Sequence, residues 1–338
     1  FNGLIDEVEI FNRDLTADEI AAIYNAGSAG KCRSCTPPPA NMVSWWGGDN
    51  NALDMVGTNN GTFQGTVAYA PGMVGQAFSF DGAIANYVSI PNNPAFNPSG
   101  AFCVDGWFYI DPVANAGGYA GLVSKWDGGD GAGWELDFLD RTTDGFTKAL
   151  RMAVRTAAGV YAEARLDGAV PSAGWYHVAG VFDPLTTPRI KLYVNGVNVA
   201  SSAVLIDSAG SNAFDVRIGA SHWWETYGVA SDRLKGKADE VEIFSRALSA
   251  DEIGAIYNAG SAGKCRSCAP PPSNRVSWWK GEGDAVDCIG ANNGALMNGA
   301  TFAAGMVGQA FSFDGLNDYV GSSLFHVGKL NVNCPAMR

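Results

Sequence analysis

IDEVEIFNRDLTADEIAAIYNAGSAGKCRSC, residues 5–35, returns as ADEVEIFSRALSADEIGAIYNAGSAGKCRSC at residues 238–268. The offset is 233 residues, from Cys32 to Cys265. It also carries Ser44-Trp45-Trp46 onto Ser277-Trp278-Trp279, and Gly72-Met73-Val74-Gly75 onto Gly305-Met306-Val307-Gly308. A self-similar period names the folding unit before any residue-level argument. The chain reads as the tail of one repeat (1–35), a proline linker (36–40), a complete module (41–264), a Cys/Pro linker (265–274) and the truncated head of a following repeat (275–338). So long a period makes beads rather than the stacked turns of a solenoid. Neighbouring repeats of the same chain are therefore expected partners.

Within the complete module, apolar and polar residues alternate with period two. Val43–Trp46, Ala77–Phe80, Tyr87–Ile90, Phe102–Ile110, Leu122–Lys125, Trp134–Leu139, Leu150–Arg155, Tyr161–Leu166, Trp175–Phe182, Ile190–Val194, Val197–Ala200, Val216–Gly219 and Ala238–Phe244 all read as strands. Asn195-Gly196, between two such runs, is a two-residue type I′ hairpin signal. Each repeat carries one short C-terminal helix, whose capping box is Ser249 with Glu252 and, in the first copy, Thr16 with Glu19. Many short strands and so little helix predict an all-β fold, a two-sheet antiparallel sandwich with the helix at its end.

Bulk properties exclude some functions. The net charge is −12, so the basic footprint that nucleic acid requires is missing. No apolar run reaches 18 residues, so no membrane span is predicted. Two of the Lys-Cys-Arg-Ser-Cys type motifs hold four of the seven cysteines. Thioredoxin-like use of such a motif needs a strand before it and a helix after it. Here a helix precedes and Pro37–Pro39 or Pro270–Pro272 follows. A zinc site needs two pairs side by side, and these lie a domain apart in sequence. The plain reading is a local disulfide, Cys32–Cys35 and Cys265–Cys268, in an extracellular linker. Cys103, in an apolar strand, reads as a small buried hydrophobe.

LYVNGV (192–197), WYHVAGVFD (175–183), GQAFSFDG (75–82) and ADEVEIFSRALSADEI (238–253) together resemble the concanavalin A-like, laminin G-like jelly roll. The likeness implies a concanavalin A-like jelly-roll sandwich in a secreted or cell-surface protein of several domains. It also implies frequent calcium and, in some members, a carbohydrate ligand. A non-catalytic binding or adhesion module for a glycan or other extracellular ligand is the expected function. A spacer without ligand is the alternative.

Three constellations could carry chemistry. Glu135 and Asp137 share a strand face, and a bulge could bring Asp140 round. The run resembles the acid strand of laminarinase-type glycosidases, which would make Glu135, Asp137 and Asp140 catalytic. That pattern has Glu where Asp140 stands. The loop at 220–236 offers His222, Trp223, Trp224 and Tyr227, rings that can stack on sugar faces or fold inward as a lid. Resemblance to pentraxins suggests calcium between Asp127 and Asp130 on one side and Glu225 and Asp232 on the other, since calcium takes six to eight oxygen ligands. Asp49, Asp54 and Asn59, matched by Asp284, Asp287 and Asn292, form a second acidic group that side-chain-capped turns explain equally well.

Overall fold

The computed structural model describes residues 1–27, 36–126, 131–140, 148–222, 232–264, 272–322 and 326–327. Two units are present: residues 35–264, and the two terminal segments 1–34 and 265–338 gathered together.

In the unit 35–264 the strands are β1 (Met42–Trp46), β2 (Thr62–Gln64), β3 (Ala68–Pro71), β4 (Gln76–Asp81), β5 (Tyr87–Ile90), β6 (Phe102–Ile110), β7 (Tyr119–Lys125), β8 (Gly133–Leu139), β9 (Ala149–Arg155), β10 (Tyr161–Asp167), β11 (Gly174–Phe182), β12 (Ile190–Val194), β13 (Val197–Ser202), β14 (Val216–Ile218) and β15 (Lys235–Phe244). One sheet has the order β13-β12-β11-β6-β15-β4-β3, with β1 also on β15. The other has the order β10-β9-β8-β7-β14-β5-β2. All their pairings are antiparallel. The fold is the expected two-sheet sandwich. β2 and β3, too short to show a period, are the strands sequence reading missed.

Alternation decides what each sheet buries. Trp134, Leu136 and Phe138 of β8 face Phe102, Val104, Phe182 and Val178 of the opposing sheet in one continuous core. Side chains of this size each stabilise the fold by about 1.5–3 kcal/mol when fully buried. The hairpin turn forms as read, with Asn195 at φ 50° and Gly196 at φ 78°.

Both capping boxes form. Ser249 precedes α1 (Ala250–Ala259) and accepts from Glu252 N, while Glu252 accepts from Ser249 N at 2.9 Å. Thr16 and Glu19 do the same for the helix Ala17–Ala26. The placement of α1 differs from expectation. It covers the outer face of the β6–β15 sheet instead of the end of the sandwich. Ile253 and Ile256 pack with Cys103, Ala179, Val181, Tyr193 and Phe244 in a second cluster. The reason is parity: those strand residues alternate with core residues, so they point away from the core and need their own cover. Cys103 is free and fully buried there, as its apolar strand implied.

A β-bulge in β15 between Asp239 and Glu242 leaves Glu240 at φ 51°. Bulges re-aim side chains, and here Glu240 and Glu242 both reach Lys264, with Glu240 Oε2 3.0 Å from its Nζ. All three are buried.

In the terminal unit, Asn2–Ile5 pairs with Gln309–Asp314, and Val8–Phe11 pairs with Arg275–Trp279. A small core of Trp279, Ala285, Ala300, Phe311, Phe313 and Val320 forms beside them.

Candidate functional site

The outer face of the seven-stranded sheet has no helical cover comparable to α1 among the described residues, and beside Leu139, Ala149 and Ala153 it carries polar side chains. On β8 these are Glu135 and Asp137, on β9 Arg151, and on β10 Tyr161 and Glu163. Register brings them together. Asp137 stands opposite Arg151, and Glu135 opposite Ala153 on one side and Ser124 on the other. Arg151 Nε donates to Asp137 Oδ1 at 3.0 Å and Nη2 to Oδ2 at 2.5 Å, a two-pronged pair. The same Nη2 lies 3.5 Å from Glu135 Oε2, and Nη1 donates to the Tyr161 hydroxyl at 3.1 Å. The Tyr161 hydroxyl donates in turn to Glu163. The guanidinium carbon lies 5.5 Å from the Tyr119 ring centre, and Trp126 packs against Tyr161 at 5.8 Å.

Electrostatics follow from this packing. Burial, then repulsion from Asp137, pushes the Glu135 carboxyl well above the usual carboxylate range despite Arg151. Burial also raises Asp137, with Arg151 opposing. So Glu135 and Asp137 do share a strand face, as read, and both carboxyls are raised, as a general acid would need. Yet both oxygens of Asp137 are committed to Arg151, and the carboxylates of the pair are almost inaccessible, at 3% and 0% exposure. Asp140 does not come round. The irregularity in the β7–β8 pairing falls at Leu136/Asp137, and Asp140 lies past the strand end, 3.2 Å from Lys148 Nζ.

A second polar group occupies the same sheet at β14 and β5. Arg217 stands opposite Ser124 and Ser89. Its guanidinium carbon is 4.4 Å from the Tyr87 ring centre, and that of Arg233 is 5.4 Å from the same ring. Asp215 accepts from Ser89 Oγ at 2.5 Å and lies 3.4 Å from Arg217 Nε. The Ser221 carbonyl accepts from Arg217 at 3.2 Å and Arg233 at 2.9 Å.

Of the residues expected to bind ligand, His222 is described, and it departs from an exposed stacking ring. It is 3% exposed, packs on Phe214 at 4.5 Å, and its Nε2 lies 2.9 Å from the Asp215 carbonyl oxygen. The inward option is satisfied by a neighbouring ring and a backbone hydrogen-bond acceptor. Trp223, Trp224 and Tyr227 lie outside the described residues. Of the calcium set, Asp127, Asp130 and Glu225 also lie outside them. Asp232 is buried and accepts from Ser221 Oγ at 3.0 Å. Among the described residues no group of three or more His, Cys, Asp or Glu is placed to hold a metal ion. The second acidic group resolves into capped turns. The Asp54 carboxylate accepts from Ser44 Oγ, Trp45 N, Val56 N and Asn59 N at 2.9–3.2 Å. Asp287 repeats this with Trp278 N, Ile289 N and Asn292 N. Burial opposes its charge, but hydrogen bonds from the backbone of Trp278, Ile289 and Gly290 and from the Ser277 side chain outweigh burial and hold it at about 2. The cysteines of both Cys-Arg-Ser-Cys motifs lie outside the described residues.

Sequence reading missed Arg151, Tyr161, Arg217 and Tyr87. The available signal was charge of opposite sign at same-parity positions of consecutive strands.

The family described as "Concanavalin A-like lectin/glucanases superfamily" matches residues 81–254. No protein of curated function matches. Among solved structures, the binding domain of Paraclostridial Mosquitocidal Protein 1 is similar with a TM-score of 0.50 and 16% identity, over 65% of this chain and 52% of that one. The receptor-binding domain of botulinum neurotoxin C/D mosaic serotype gives 0.50 and 15%, over 65% and 51%. Domain 4 of a GH43 extracellular arabinanase from Geobacillus stearothermophilus, in complex with arabinotriose, gives 0.49 and 20%, over 63% and 97%. The chain spans about half the length of the two toxin domains. These likenesses concern the fold. No helix is long and apolar enough to cross a membrane among the described residues.

Proposed function

The chain belongs to the concanavalin A-like lectin/glucanases superfamily, and from that premise we propose that residues 35–264 form a non-catalytic glycan-binding module of a secreted or cell-surface protein, acting in adhesion through the outer face of its seven-stranded sheet. One observation carries the reading. Tyr161 is 36% exposed at the edge of the ionic network, and its hydroxyl is held by Arg151 and Glu163. An aromatic ring fixed in place and open to solvent is a platform for the C–H face of a sugar, and the surrounding charges supply hydrogen-bonding groups. The family also includes glucanases, and the raised Glu135 favours that chemistry. The Arg151 fork on Asp137 counts against it, since a carboxylate bound at both oxygens is a poor nucleophile. Calcium held by Asp127, Asp130, Glu225 and Asp232 belongs to the same proposal, as does stacking by Trp223, Trp224 and Tyr227.

The test is a glycan array with the full chain, run with calcium and with chelator, alongside Tyr161→Ala. The reading expects a defined glycan class whose signal falls at least tenfold in Tyr161→Ala. Silence in both metal conditions would favour a spacer that only holds distance. Release of reducing sugar from a β-glucan, abolished by Glu135→Gln, would move the function to hydrolysis.

A further inference from the structure

On the sheet that carries α1, the helix covers the outer face as far as Trp107 and His177, whose rings lie 5.7 and 6.4 Å from that of Tyr257. Outward side chains on a strand are two residues apart. Two residues farther along, the same face carries Tyr109 on β6, Trp175 on β11 and Lys237 on β15. Register sets the three in one row, with Tyr109 opposite Trp175 on one side and Lys237 on the other. All three are half-buried, whereas Trp107 and His177 beneath the helix are buried.

The row is a built patch. The Tyr109 and Trp175 rings meet edge to face, with centres 5.8 Å apart at 77°, a favoured aromatic geometry. Lys237 Nζ lies 5.4 Å from the Tyr109 ring centre and 5.9 Å from that of Trp175. It donates to the Pro71 carbonyl at 3.2 Å, and an ammonium has two further donors. The Tyr109 hydroxyl and the Trp175 indole N–H bond to no described residue and are not buried orphans. Among the described residues no carboxylate lies within ion-pair distance of Lys237. Lys235, by contrast, has Asp81 opposite it, and Asp239 turns its Oδ2 to Val74 N at 2.8 Å. The chain has 34 acidic and 22 basic residues, yet none of the acids is set beside this cation.

Two half-open rings and a cation without an acid match one ligand chemistry. A neutral sugar would leave the ammonium unmatched, and a bare anion would leave the rings unused. We propose that Trp175, Tyr109 and Lys237 form a second saccharide site that takes a carboxylated pyranose, a hexuronate. The C–H face of the sugar lies on Trp175. Its carboxylate takes a charge-assisted hydrogen bond from Lys237 Nζ, and its hydroxyls meet the free groups of Tyr109 and Trp175. The site stands on the sheet opposite Tyr161 and does not depend on binding there. The outer faces of two stacked sheets point away from each other, so one module holds two saccharide chains and bridges them, which raises avidity.

The test is calorimetric titration of the full chain, with chelator present, using oligomers of galacturonate, of mannuronate and of hyaluronate, each beside its carboxyl-reduced counterpart. The proposal expects at least one uronate oligomer to bind, and its reduced form to bind about tenfold more weakly or worse. Lys237→Gln should bring the same loss, Lys237→Arg should keep the affinity, and Trp175→Ala should lower it. Tyr161→Ala should leave it unchanged, so failure of the site on the other sheet is read separately. Carboxyl reduction needs no variant and reports the charge requirement even where Lys237→Gln fails to fold. No binding by any uronate oligomer, equal binding of a reduced counterpart, or full affinity in a folded Lys237→Gln chain overturns the proposal.

Discussion

Replacing Lys264 by methionine should cost the unit 35–264 more than any surface change. Lys264 is 4% exposed, its Nζ lies 3.0 Å from Glu240 Oε2, and it contacts Glu242 and the Trp45 ring, the latter at 5.0 Å. Burial works to lower its pKa, but Glu242, Glu240 and Asp105 together outweigh burial and hold it above the ordinary lysine range. Methionine keeps the length of the side chain and deletes the charge. Glu240, Glu242 and Asp105 are then left buried without it. Removing one partner of a buried pair costs about 3–5 kcal/mol, because the uncompensated charge stays behind. For a unit of this size each kcal/mol lowers Tm by roughly 2–4 °C, so a fall of about 6–20 °C is expected at pH 7. The deficit should narrow on acidification. Burial already raises Glu242 well above its ordinary value, and losing Lys264 raises it further. Between the unfolded and the folded value the folded state then binds more protons, so stability grows as pH falls toward the usual carboxylate range. Adding Glu242→Gln to Lys264→Met should recover a large part of the loss at pH 7, whereas the two changes would be additive if unlinked. Scanning calorimetry of the full chain at pH 5 and pH 7 measures all of this. A Tm within 2 °C of the parent at pH 7, or an equal deficit at both pH values, would refute the argument that this cluster is a buried charge balance.

Three other outcomes follow from the same physics. Asn195 sits at φ 50° and its Oδ1 accepts from His177 N at 3.0 Å; Asn195→Ala should cost roughly 2–3 kcal/mol from backbone strain and the orphaned donor, and Asn195→Gly less, by denaturant titration. Arg246 donates to both oxygens of Glu252 and lowers its carboxyl from 4.5 to about 2. The contribution is present above the ordinary carboxylate pKa and lost as pH falls through the depressed value, so Glu252→Gln should lose under about 1 kcal/mol at pH 7, given the pair's exposure, and nothing measurable at the lowest pH of the titration. Thr36 N donates to Gly263 O at 3.1 Å, and Thr36 and Lys264 form a parallel bridge; each residue is the immediate chain neighbour of a cysteine. Non-reducing peptide mapping should return Cys32–Cys35 and Cys265–Cys268, and a peptide joining the two motifs would replace the local disulfides with a linkage between them.

Everything governed by near neighbours in the chain was legible from the order of the amino acids. Strands alternate with period two because successive side chains leave opposite faces of the backbone; twelve of the thirteen segments read this way lie within strands of the structure, and Val216–Gly219 overruns its strand by Gly219. Ser249 with Glu252 marked the helix start, and Asn195-Gly196 the hairpin, because caps and tight turns satisfy backbone groups within four residues. Which strands became neighbours, and therefore which charges met, was set by the packing of the whole unit. Glu135 and Asp137 were visible as acids on one face, but Arg151, which changes their chemistry, reaches them through the β8–β9 register. His222 was legible as an aromatic in a turn-rich stretch, while its burial on Phe214 depended on the local path of the chain. Most of all, residues 2–11 and 275–314 close one small core between them. Antiparallel pairing is indifferent to how far apart two strands lie in sequence, so no local pattern could have announced it.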